Sequence, residues 1–174
     1  MNLSSLVLDV QTYTQQHLTH YIEELRTLCS IDSFSYHKPG LDEVATYLSA
    51  RLRGLGMDAT IIEHKAWGND LFGVIRGEGK GNVLLLGHTD TVYPVGTAAT
   101  RPVRLEGDIV YGPGVCDMKG CILSAIYAIE ALLVKGYRSL VRSVFSVYQM
   151  KRRPTGIVST LYRRHARIAR GRLF

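Results

Sequence analysis

Apolar residues recur along the first third of the chain at helical spacing. Leu6, Val10, Tyr13, Leu18, Tyr21, Ile22, Leu25 and Leu28 fall on one face and predict a single amphipathic helix over residues 6–29. A polar loop from Ser30 to Pro39 follows, closed by Pro39-Gly40. A second helix is expected from about Asp42, with Val44, Leu48, Leu52 and Leu55 inward and Gly56 as its stop. The period then changes. Asp58–Glu63, Leu71–Arg76 and Asn82–Gly87 read as strands, with a Gly77–Gly81 turn between the last two. Val83-Leu84-Leu85-Leu86 is continuously apolar, which suits a strand buried on both faces of a sheet. Asp108–Tyr111 is a further short strand, and Met118–Lys135 a third long helix ended by Gly136. Helices alternating with buried strands predict an α/β layered domain.

Two places in this pattern carry chemistry. The buried strand runs into Gly87-His88-Thr89-Asp90-Thr91, and in open α/β sheets functional groups gather at the carboxyl ends of strands. At two-residue spacing in extended chain, His88 and Asp90 point to the same side. Imidazole suits zinc, copper, iron or nickel, and a carboxylate behind it orients the ring and raises its basicity. Further on, Gly112-Pro113-Gly114-Val115-Cys116-Asp117-Met118-Lys119-Gly120 opens the third long helix. Asp117 is either an N-cap or a carboxylate ligand favoured by the helix dipole. Cys29, Cys116 and Cys121 have no disulfide-framework or zinc-knuckle spacing. Cys116 and Cys121 read as small, semi-buried residues beside a helix start.

The formal charge of +6 divides the chain. Residues 1–138 hold 12 Lys/Arg and 15 Asp/Glu, a net of −3, whereas residues 139–174 hold 9 Lys/Arg and no acid, a net of +9. The expected organisation is therefore one α/β unit over 1–138 and a basic tail over 139–174. The opening residues lack a basic signal-peptide region, and the apolar run from Cys121 to Val134 is interrupted by Glu130 and falls short of the ~20 residues of a membrane span. A cytoplasmic protein without membrane partners is expected.

Taken together, His88-Thr89-Asp90-Thr91-Val92-Tyr93-Pro94, Val103 to Asp108, Tyr111-Gly112-Pro113-Gly114 and Asp117-Met118-Lys119-Gly120 resemble the M20 metallopeptidases, in the glutamate carboxypeptidase branch. The resemblance covers residues from about 20 to 138 and departs from the family at Cys121, where a glycine is common. It implies the N-terminal part of a zinc-exopeptidase-type layered catalytic domain that hydrolyses peptide or N-acyl amino acid bonds with two zinc ions. By the same resemblance His88 binds one metal, Asp117 bridges both, and Asp90 serves catalysis by orienting His88.

The family's Asp-Glu-Glu run, which supplies the general base and a further ligand, is absent, as is its inserted dimerisation domain. The chain is thus expected to be truncated and inactive as it stands. No acid follows Glu130. Where the general base should fall, the chain reads Gln149-Met150-Lys151. Methionine is ATG and both lysine codons begin with AA, so the frame starting at the third base of each codon must read GAA, glutamate, across Met150 and Lys151. That frame permits Phe or Leu, Cys, Val, Ser or Pro, Asp, Glu, Glu from Phe145 onward. A frame shift near residues 139–144 is the expectation, with the tail off-frame and not a domain. The alternatives are a non-catalytic fragment of a disrupted gene and, ranked last, a basic-tailed nucleic-acid-binding module, with Arg163, Arg164, Arg167 and Arg170 on one helical face.

Overall fold

The computed structural model describes residues 3–80, 82–137 and 142–148. Two helices, α1 (Leu3–Gln16) and α2 (Leu18–Ser30), stand where one was expected. The break falls at His17, whose ring donates from Nδ1 to the Tyr13 carbonyl at 2.8 Å, the acceptor its own amide also uses at 3.1 Å. Helix α3 (Lys38–Gly54) begins four residues earlier than the apolar pattern suggests. Pro39 sits in its first turn, where the missing N–H has no intrahelical partner to lose.

Strands β1 (Asp58–Ile62), β2 (Asp70–Ile75) and β3 (Asn82–His88) follow, then a short helix α4 (Thr97–Thr100) and the hairpin β4 (Arg104–Glu106) and β5 (Ile109–Tyr111). Helix α5 (Gly120–Val134) leads into β6 (Arg142–Tyr148). The four-stranded sheet has the order β1-β2-β6-β3, with β6 antiparallel to β2 and parallel to β3. The parallel pair β3–β6 joined by α5 is a crossover unit, and it brings the carboxyl ends of both strands to one edge of the sheet.

This topology changes two expectations. First, the sheet extends past residue 138: β6 fills the place between β2 and β3, with Phe145 and Val147 in the core. Second, β3 is not buried on both faces. It is the edge strand of the described sheet, and Val83 and Leu86 are 41% and 40% exposed. Apolar content alone does not distinguish a central strand from an edge that presents one apolar face.

The core lies on the face carrying Leu71, Gly73, Leu85, Phe145 and Val147. Val44, Leu48 and Leu52 of α3, and Ile122, Leu123 and Ile126 of α5, are buried against it. Leu25 and Leu28 of α2 close the layer. Gly73 is needed for this contact, because a Cβ there would stand 2.8 Å from Leu52 Cδ1. Arg51 ties the three helices together. Its Nε donates to Glu24 Oε1 at 3.0 Å, another nitrogen pairs with Glu130, and the guanidinium lies over the Tyr127 ring. Glu24 is 7% exposed, so this pairing keeps a buried carboxylate compensated. Among the described residues no helix is long and apolar enough to cross a membrane. Arg163, Arg164, Arg167 and Arg170 of the last-ranked alternative lie outside the described residues.

Candidate metal centre

The site forms where β3 ends. Gly87 is the penultimate strand residue, and a Cβ there would be 3.1 Å from Ile122 Cγ1 and 3.4 Å from Met118 Cε. Its absence lets α5 close on the strand end. The chain then turns through His88, Thr89 and Asp90, all buried, at 8%, 2% and 3% exposure. His88 Nδ1 donates to the Asp90 backbone oxygen at 3.0 Å and lies 3.4 Å from Asp90 Oδ1. One face of the imidazole is therefore held entirely by Asp90.

The other ring nitrogen faces Asp117. His88 Nε2 is 2.9 Å from Asp117 Oδ1. Asp117 reaches it from a tight turn over Val115–Lys119 that precedes α5. Gly114 enters this turn at φ +82°, a left-handed conformation that glycine adopts without a Cβ clash. A Cβ at Gly120 would meet the Val115 carbonyl oxygen at 2.3 Å, so the turn closes only on glycine. Asp117 itself is extended, at φ −130° and ψ 93°, and its peptide bond to Met118 is cis. It is not the N-cap of α5, a position that Lys119 occupies. Its side chain is 81% exposed and turned to His88.

Hydrogen bonding to Asp90 holds the His88 pKa above the ordinary imidazole value, outweighing desolvation, and Asp117 adds to it. Both ring nitrogens face acceptors, so the proton-loaded ring is a double donor; Nε2 is the atom whose lone pair a metal would take in place of the proton. The two donor atoms suit zinc in kind. They stand 2.9 Å apart. Among the described residues no group of three or more His, Cys, Asp or Glu converges on one point.

Cys116 and Cys121 are both exposed rather than semi-buried, and Cys121 Sγ donates to the Cys116 carbonyl at 3.4 Å. Sequence reasoning missed three residues. Lys119 is 1% exposed; its Nζ donates to the Leu28 and Ile31 carbonyls at 3.1 and 2.7 Å and so caps the end of α2. Ser33 and Ser35, from the loop between α2 and α3, hydrogen-bond into the His88–Thr91 turn. No sequence pattern marks two serines in a polar loop as different from their neighbours.

Residues 84–147, from β3 through the hairpin and α5 into β6, match peptidase family M20/M25/M40. Carboxypeptidase G2 of Pseudomonas sp. strain RS-16 is 34% identical over 119 residues, which are 67% of this chain and 29% of that protein. The chain thus spans under a third of this curated relative. Among solved structures, human carnosine dipeptidase 1 superimposes with a TM-score of 0.78 at 18% identity, over 91% of this chain and 38% of that one. An M20 family metallo-carboxypeptidase from Sulfolobus solfataricus gives 0.64 at 24% identity, over 74% and 30%. These two likenesses are of fold. With the family match on the segment that builds the site, the chain belongs to peptidase family M20/M25/M40 and is of the glutamate carboxypeptidase-like type.

Proposed function

We propose that this chain carries the His88–Asp117 portion of a zinc-dependent hydrolase of peptide or N-acyl amino acid bonds, carboxypeptidase-like in substrate class. The observation that carries the reading is the approach of His88 Nε2 to Asp117 Oδ1 at 2.9 Å with Asp90 bound behind the ring. In this reading His88 and Asp117 are metal ligands, and Asp117, exposed on its outer side, is free to bridge to a second ion. Asp90 keeps the Nδ1–H on the protein side of the ring, so that Nε2 faces the metal. Zinc bound there supplies Lewis acidity toward a scissile carbonyl and acidifies water. The chain offers no carboxylate after Glu130 to take a proton from that water, so the 174 residues bind metal without turning over substrate.

A zinc titration of the purified chain, run beside an assay for release of amino acid from dipeptides and N-acetyl amino acids, tests both halves. Zinc binding with hydrolysis no faster than the protein-free reaction is expected. Zinc-dependent hydrolysis above that rate would overturn the inactive reading, and no zinc binding would overturn the ligand assignment.

We further propose that the reading frame shifts near residues 139–144, so that Val141 to Phe174 are read out of frame. Tyr148, the last residue of β6, pairs in register with His88, and its carbonyl accepts the Thr89 amide at 3.1 Å. The codons with the forced glutamate, those of Met150 and Lys151, thus come directly after a strand that ends beside the site. The alternate frame permits Phe or Leu, Cys and Val from Phe145 onward, so either reading is compatible with a central β6. Resequencing the coding DNA from the codon for Lys135 onward is expected to reveal one inserted or deleted base that restores Asp-Glu-Glu. A confirmed sequence with the present frame overturns this part. We assign the protein to the cytoplasm, in keeping with three cysteines that are all free.

A further inference from the structure

We propose that Ser35 is a positioning residue of the metal centre, its hydroxyl setting the orientation of Asp90 and thereby of the His88 ring. The inference rests on the metal-binding reading of His88 and Asp117. It starts from a contact between segments more than fifty residues apart. Ser35 Oγ donates to Asp90 Oδ2 at 2.6 Å, while Asp90 Oδ1, the other oxygen of the same carboxylate, is the one 3.4 Å from His88 Nδ1. The carboxylate is therefore shared, one oxygen toward the hydroxyl and one toward the imidazole. Ser35 and Asp90 are 2% and 3% exposed, so water does not compete freely for either oxygen. The Thr91 carbonyl also lies within reach of Ser35 Oγ, at 3.3 Å, but a bond to a buried carboxylate at 2.6 Å is the stronger claim on one proton.

The serine is delivered by backbone pairing. Phe34 forms a parallel bridge with Thr91; the Thr91 amide donates to the Ser33 carbonyl at 2.8 Å, and the Ser35 amide to the Thr91 carbonyl at 3.1 Å. Ser33 Oγ adds a bond to the Thr89 carbonyl at 2.8 Å. Two buried hydroxyls thus reach the same turn, and they differ in what they touch: Ser33 holds backbone, Ser35 holds the carboxylate. Without Ser35 the carboxylate loses one of its fixed contacts, and the Nδ1–H of His88 is then held by the Asp90 backbone oxygen at 3.0 Å with a weaker contribution from the carboxylate beside it. The consequence is chemical as well as geometric, because the proton's residence on Nδ1 is what leaves Nε2 available for a metal.

The test uses the full chain with Ser35→Ala, Ser35→Thr and Ser33→Ala. Zinc affinity is measured by competition with a chromophoric chelator. The tautomer of His88 is read in metal-free protein by long-range 1H–15N NMR, at a pH where the ring is neutral. Ser35→Ala is expected to weaken zinc binding roughly 10-fold or more, and to move His88 from the Nδ1–H tautomer toward a mixture. Ser35→Thr restores both, and Ser33→Ala changes neither beyond threefold. Should Ser35→Ala unfold, Ser35→Cys, of similar shape and weaker donor strength, carries the same expectation. A wild-type tautomer in Ser35→Ala overturns the inference, and so does an equal change in Ser33→Ala, which would mark a loop effect without carboxylate control. If the wild-type chain binds no zinc, the metal reading fails, while the tautomer comparison still decides the role of Ser35.

Discussion

Val147→Asp eliminates the cooperative thermal transition or lowers its midpoint by more than about 10 °C, whereas Leu86→Asp lowers it by only a few degrees. Val147 is fully buried in the strand that separates β2 from β3. A carboxylate placed there either stays charged without a partner or takes up a proton, and both cost several kcal/mol. For a chain of this size, each kcal/mol moves the midpoint by about 2–4 °C. Leu86 lies on the neighbouring strand and is 40% exposed, so an aspartate there keeps its water. Circular dichroism melts of the two variants decide the matter. Equal losses, or a tolerant position 147, would show that residues 142–148 are not the centre of the sheet.

The second large effect is on metal binding. His88→Ala and Asp117→Ala each weaken zinc binding on the order of 100-fold, since each removes one of two protein donors. Asp90→Asn has a smaller effect, on the order of 10-fold, because it loosens the ring without removing a ligand. The pH dependence has a definite sign. Zinc competes with the proton on His88, whose pKa is raised chiefly by Asp90, so affinity declines as pH falls through that raised value. In Asp90→Asn the decline moves to lower pH. Competition titrations across a pH series measure both quantities. Binding unchanged within threefold in His88→Ala and Asp117→Ala would place zinc elsewhere on the chain.

Much of the scaffold was legible from periodicity. Val44, Leu48 and Leu52 face inward as their spacing predicts, and all three are fully buried. The strands β1 to β3 fall within a residue of their expected limits. The break at His17 was not legible, because it depends on a ring bonding back to a carbonyl within an otherwise regular helical pattern. Nor was the start of α3, where Pro39 looked like the close of a loop. The sequence brought out His88, Asp90 and Asp117 as chemistry-bearing residues through their linked motifs. Their mutual distances were outside its reach, since 29 residues separate His88 from Asp117 along the chain.

By itself, then, the sequence determined the alternation of helices and strands, the family of the chain and the three residues around which a metal centre is proposed. These depend on short-range spacing and on motif order, which are properties of a line of residues. The tertiary structure alone decided that β6 lies between β2 and β3, that β3 stands at the edge, and that Asp117 faces His88 instead of capping a helix. It alone brought Ser35 to Asp90. Each of these is a pairing between distant segments, fixed by which faces exclude water together and which buried polar groups must find a partner. No local pattern encodes such a pairing, because its free energy exists only once both segments are in place.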